Sequence, residues 1–220
     1  MRIRIKFSKN DFVKYIGHLD IMRTFQRCFN RADIKMVYSD GFNPHQKMNF
    51  ALPLGVGITS TGEYLDAEIA DGQDTKLIKE KLNLVLGMGL KVISVSELMP
   101  DAKKAMASVR FASYEIIFGE SYNIDINEYL AADSILVTKT TKSRTQDVDL
   151  KDMILKAEYD APLLKILVKA GSESNIKPQL IAENILTYFG YEYSFENIRI
   201  NRTDLYAEGL IPLSEFEAAK

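Results

Sequence analysis

Six segments follow one another in the order strand, helix, strand, strand, helix, strand, and the whole order then occurs a second time; no other property of this chain restricts its fold as much. Ile3, Ile5 and Phe7 alternate with Arg2, Arg4 and Lys6, the period of a strand with one buried face. From His18 to Ala32 the apolar Leu19, Met22, Phe25, Phe29 and Ala32 recur at helical spacing, and Asp20 suits the positive end of a helix dipole. A short strand is expected around Lys35 to Tyr38, and an alternating one from Tyr64 to Ile69. Asp74 is placed to cap a helix carrying Leu77, Ile78, Leu82 and Val85, with Gly87 as its stop and Leu90 to Val95 as the closing strand.

Past a polar connector at 100–108 the pattern restarts. Phe111 to Phe118 is a strand, Ile124 to Ala131 a helix, Ser134 to Thr140 a strand and Leu163 to Lys169 another. Pro178 opens a helix that Gly190 ends, and Ile198 to Tyr206 is the last strand. The expected fold class is α+β, two tandem ferredoxin-like βαββαβ units with antiparallel sheets over 1–100 and 109–208, and a tail at 209–220. The repetition lies in element order, not in residue identity.

Composition narrows the function classes. Apolar residues at 46% and charged residues at 26% of 220 are enough for a core and argue against disorder. The lone Cys28 can form neither an internal disulfide nor a thiolate cluster, and the start lacks the basic and apolar order of a signal peptide. No apolar run is long enough to span a bilayer, so a cytoplasmic protein without membrane contact is expected. Neither a metal site nor a cofactor is expected. The net charge of −2 conceals an asymmetry: residues 1–50 hold ten Lys or Arg against four Asp, whereas residues 51–135 hold seven basic and thirteen acidic residues. An anionic partner would meet the basic opening.

Both histidines fall there, in Gly17-His18-Leu19-Asp20 and Gly41-Phe42-Asn43-Pro44-His45-Gln46-Lys47. Either can exchange a proton near neutral pH, or simply satisfy local backbone groups. Arg23, Arg27 and Arg31 recur every four residues and so run along one side of a helix, a spacing that suits either phosphates or plain solvent. Arg2, Arg4 and Lys6 form a second basic row on the sheet face away from the helices, which Asp66 and Glu68 are placed to neutralise. Tyr38 to Gly57 is a long loop segment in which glycines and prolines set the path and Ser39, Asn43, His45, Gln46 and Lys47 supply polar contacts. Lys139, Lys142 and Arg144 make a basic hairpin or a solvated turn.

Tyr15-Ile16-Gly17-His18-Leu19-Asp20, Tyr38-Ser39-Asp40-Gly41-Phe42-Asn43-Pro44-His45 and Phe50-Ala51-Leu52-Pro53-Leu54-Gly55, in that order, resemble the radical-SAM-associated family of unknown function. Its members are separate proteins or the C-terminal part of radical-SAM proteins. Gly17 departs from an expected Ser, and Gln46-Lys47 from a commoner Pro-Arg. The resemblance implies a radical-SAM iron–sulfur protein as partner and work on RNA or a ribosome-related substrate. On this expectation the chain is a non-catalytic accessory protein in which Arg23, Arg27, Arg31 and Lys47 hold phosphate while Ser39, Asn43 and His45 orient sugar or base. Two alternatives stand beside it: a protein-only interaction subunit, and a metal-independent endoribonuclease using His18 or His45, the latter by analogy of architecture with CRISPR-repeat endoribonucleases.

Overall fold

The structure, a computed structural model, describes residues 1–140, 145–172 and 174–219. It is an α+β fold built on a mostly antiparallel sheet. The strands of the first half are β1 (Arg2–Lys9), β2 (Met48–Phe50), β3 (Thr59–Glu68) and β4 (Leu90–Glu97), with helices α1 (His18–Arg31) and α2 (Thr75–Val85). A one-turn helix, α3 (Ala105–Ser108), leads to the second half, which comprises β5 (Phe111–Phe118), α4 (Ile126–Ala131), β6 (Leu136–Thr140), β7 (Thr145–Asp149), β8 (Ile154–Asp160), β9 (Leu163–Lys169), α5 (Pro178–Tyr188) and β10 (Ile198–Tyr206). The sheet runs β4-β1-β3-β10-β5-β9-β8, with β2 on β3. Only β3 and β10 run parallel among the described pairs, in register at Thr59 with Asn201 and Ser60 with Arg202. The two halves therefore share one sheet.

Ile3, Ile5 and Phe7 pack with Phe25 and Phe29 of α1 and Leu82 of α2, while Ile116, Phe118 and Ile166 pack with Ile181 and Ile185 of α5. Those of the first half are the residues that alternation and helical spacing assign to buried faces. Asp74 caps α2 as expected, its carboxylate accepting from the Lys76 amide at 2.7 Å. Gly17 caps α1 without a side-chain bond.

Three expectations are corrected. Lys35 to Tyr38 makes only isolated bridges, through Met36 and Tyr38. The strand that pairs with β3 is β2, because Phe50 reaches the aromatic core of Phe7 and Phe25. The strand expected at Ser134 to Thr140 is β6, which pairs with β7 in a separate two-stranded sheet; β8 takes the edge place beside β9. That edge strand covers little core, so Ile154 to Asp160 carries no clean alternation. Lys142 and Arg144 of the expected basic hairpin lie outside the described residues. No helix among the described residues is long and apolar enough to cross a membrane.

Candidate nucleic-acid interface

Helix α1 buries Ile21, Phe25, Cys28 and Phe29, so the angular spacing of the helix turns Arg23, Arg27 and Arg31 to solvent. Arg23 meets Asp20 at 3.1 Å in an exposed pair, which holds little energy and leaves the guanidinium available. Arg27 donates to the Arg23 carbonyl at 3.3 Å.

A loop lies beside this helix. Its neck is closed by the Ser39 amide on the His45 carbonyl (2.8 Å), the His45 amide on Ser39 Oγ (3.1 Å) and Ser39 Oγ with His45 Nδ1 (2.8 Å). Engaging Nδ1 leaves Nε2 as the ring's remaining polar atom. Between these residues Gly41, at φ 105°, takes a turn that side chains disfavour, and Phe42 at the tip stands at 109% exposure with Asn43 exposed beside it. Gln46, 5% exposed, ties the loop to the helix: its Nε2 donates to Asn30 Oδ1 at 2.8 Å and to the Gln26 carbonyl at 3.3 Å. Its Oε1 is buried with no partner among the described residues. The structure thus brings Ser39, Asn43 and His45 onto one loop docked along the arginine-bearing helix. Lys47 sits at the foot of the loop, 3.6 Å from Glu68.

His18 is elsewhere. It opens α1, about 18 Å of helix away from Asn30 at 1.5 Å per residue, and its ring meets the Phe50 ring edge-on at 4.9 Å. Burial pushes its pKa below the ordinary histidine range, Glu63 drawing it up and Lys9 pressing it down. The two histidines serve different neighbourhoods.

The basic row of β1 is spent internally. Arg4 lies buried in a doubly bonded pair with Asp66 (2.7 and 3.0 Å), and donates to the carbonyls of Leu213 and Phe216 at 3.1 Å each. Arg2 donates to the Ala102 carbonyl, and Lys6 pairs with Asp204 at 2.7 Å. Asp66 neutralises Arg4 as anticipated, whereas Lys6 is neutralised by Asp204. Glu68 instead turns to Lys47, and the chain beyond β10 meets Arg4 through the Leu213 and Phe216 carbonyls. An open basic sheet face is therefore ruled out for β1.

Four further groups were not singled out from the sequence: Lys9, Glu63, Tyr114 and Arg202. Arg202 Nε meets Glu63 Oε1 at 2.8 Å, and Nη2 bonds Oε2, with both residues buried. Lys9 donates to the Ile16 carbonyl at 2.9 Å, and burial lowers its pKa, with Glu63 opposing and Arg202 reinforcing the shift. A signal existed, since Lys9 continues the buried phase Ile3-Ile5-Phe7 and Arg202 the buried phase Ile198-Ile200.

The model of a family described as an uncharacterized protein conserved in bacteria (DUF2344) matches residues 2–178. The chain belongs to this family. The DUF2344 match takes in α1 and the docked loop and reaches Pro178, the first residue of α5, so β10 lies beyond it. No curated protein matches the chain.

Proposed function

We propose that this chain is an accessory protein that holds a single-stranded RNA segment for a separate radical-SAM enzyme. One observation carries the reading: a neck-closed loop with an exposed aromatic tip is tied alongside a helix whose arginines face solvent. Phosphates need cations in register, and bases need a flat face with donors and acceptors around it. Arg23, Arg27 and Arg31 supply the first, joined by Lys47; Phe42, Asn43, Ser39 and the free edge of His45 supply the second. The radical-SAM partner rests on the motif resemblance. The reading of each half as a ferredoxin-like unit rests on the strand orders β4-β1-β3-β2 and β10-β5-β9-β8.

The test is filter binding of a short unstructured RNA at several salt concentrations. Arg23→Ala with Arg27→Ala lowers the affinity and reduces the salt slope by about 0.7 for each phosphate that is no longer neutralised. Equal retention of RNA by the variant and the parent protein at about 100 mM salt overturns the reading. RNA cleaved in chelator, and left intact by His45→Ala, assigns the chain to metal-independent ribonuclease chemistry instead.

A protein-only subunit is favoured by a different observation: Phe12, Tyr15 and Leu19, close in sequence around the entry to α1, are 82%, 61% and 59% exposed. Capture of an iron–sulfur protein from nuclease-treated lysate, lost on Phe12→Ser with Tyr15→Ser, together with no RNA binding, selects it.

A further inference from the structure

At the seam where β3 and β10 run side by side, the helix-bearing side of the sheet holds a buried cluster of charge. Arg202, 1% exposed, is fixed by Glu63 and also donates to the Leu52 carbonyl, with Tyr114 beside the same guanidinium. Lys9, 3% exposed, stands near both Arg202 and Glu63. Among the described residues no carboxylate pairs directly with its ammonium, whose hydrogen bond goes to the Ile16 carbonyl. Two cations and one carboxylate leave one positive charge in excess, in a place where an uncompensated charge is strongly disfavoured.

A cavity of about 450 Å³ opens over the Arg202 and Tyr114 end of this cluster. Arg202 and Tyr114 are among its lining residues, the Leu52-to-Val56 loop and Ile58 form one wall, and Asn175 to Gln179, leading into α5, form the other. Lys177 at the mouth adds a second positive charge and is exposed. Gln179, in the same wall, has a buried Oε1 for which no donor is found among the described residues. The volume falls in the range of small-molecule sites and far exceeds a lone inorganic anion.

We propose that this cavity binds a small phosphate monoester, with the phosphate between Arg202 and Lys177 and the organic body against Leu54, Val56 and Ile176. The charge balance selects the class. Among the described residues the excess charge of the buried cluster and that of Lys177 sum to about two, matching the roughly −1.5 to −2 of a phosphate monoester at neutral pH, whereas a carboxylate cancels half. Hydroxyl groups on the body answer the Gln179 acceptor. This site lies apart from the RNA face and does not depend on it.

The test is calorimetric titration of the full chain with ribose 5-phosphate, adenosine 5′-monophosphate and inorganic phosphate. At least one monoester binds with a stoichiometry of one and about tenfold or more tighter than inorganic phosphate. Lys177→Glu and Val56→Glu, both at exposed positions and so leaving the fold intact, each weaken it by about tenfold or more. Arg23→Ala leaves it unchanged, and Lys177→Glu leaves RNA affinity unchanged, so the two sites fail separately. The proposal is overturned by no saturable heat from either monoester up to about 5 mM, or by binding that both cavity variants leave within about twofold.

Discussion

Glu63→Gln removes one negative charge from the seam and keeps the shape of the side chain. In the parent protein Arg202 Nε and Nη2 both bond the carboxylate, the first at 2.8 Å, with side-chain exposures of 1% and 7%. Each charge-assisted bond is worth about 1.5–3 kcal/mol. The carboxamide keeps one acceptor and turns an N–H group toward the second guanidinium nitrogen, so one bond is lost and one contact becomes repulsive. Lys9 loses its nearby counter-charge as well. The expected loss is about 3–4 kcal/mol, within the cost of breaking a buried pair by removing one partner. Urea unfolding of a chain this size has a slope near the upper end of the usual range, about 3 kcal/mol/M, so the midpoint falls by about 1 M. Far-ultraviolet dichroism and tyrosine fluorescence follow the transition together. Replacing both partners, Glu63→Met with Arg202→Met, returns most of the loss, because no unpaired charge of that pair remains. A midpoint shift under about 0.3 M for Glu63→Gln refutes the view that this pair is desolvated and mutually dependent.

Three other consequences are open to measurement. His18 has a lowered pKa in the fold, so between the ordinary value near 6.5 and its folded value the unfolded chain binds more protons; stability falls as pH drops through that window, and His18→Gln flattens the fall in pH-dependent urea midpoints. Gly62→Ala places a methyl group 2.5 Å from the Asp204 Cα and the Thr203 carbonyl, backbone that cannot give way without parting β3 from β10, and a calorimetric melt should show a loss of about 3 kcal/mol. Phe42→Ala leaves the melting temperature unchanged, since the ring has no packing to lose, and weakens the RNA complex by about 1–3 kcal/mol in filter binding.

What the sequence discloses and what it conceals follow from the range of the interactions involved. Helix α1 and strands β1, β5, β9 and β10 are legible because their burial patterns repeat within a few residues. The arginine stripe is legible for the same reason, being fixed by helix geometry alone. β8 is hidden because an edge strand needs only one paired side and little apolar surface. The loop from Ser39 to Lys47 could be recognised as long and polar, yet its docking depends on Gln46 reaching Asn30 across a gap in sequence that no local pattern encodes. Covering of Arg4 in the β1 basic row depends on Leu213 and Phe216, more than 200 residues away. The segment expected as a tail is part of the packing of the sheet.

Lys9 breaks a pattern that the apolar residues of β1 obey. In the buried phase of Ile3, Ile5 and Phe7 an apolar side chain is the stabilising choice, and an ammonium held, among the described residues, by the Ile16 carbonyl forfeits hydration for one charge-assisted hydrogen bond. Methionine has nearly the same length and flexibility. Lys9→Met gives up about 1.5–3 kcal/mol of hydrogen bonding and avoids a desolvation cost of several kcal/mol, so the variant is as stable as the parent or more so. If the excess charge serves the cavity at the seam, the same variant weakens monoester binding while the urea midpoint holds or rises, a separation that a structural role does not produce. A destabilisation above about 2 kcal/mol places Lys9 in the scaffold, as a tie between the turn at Ile16 and the end of β1, and removes its charge from the account of the cavity.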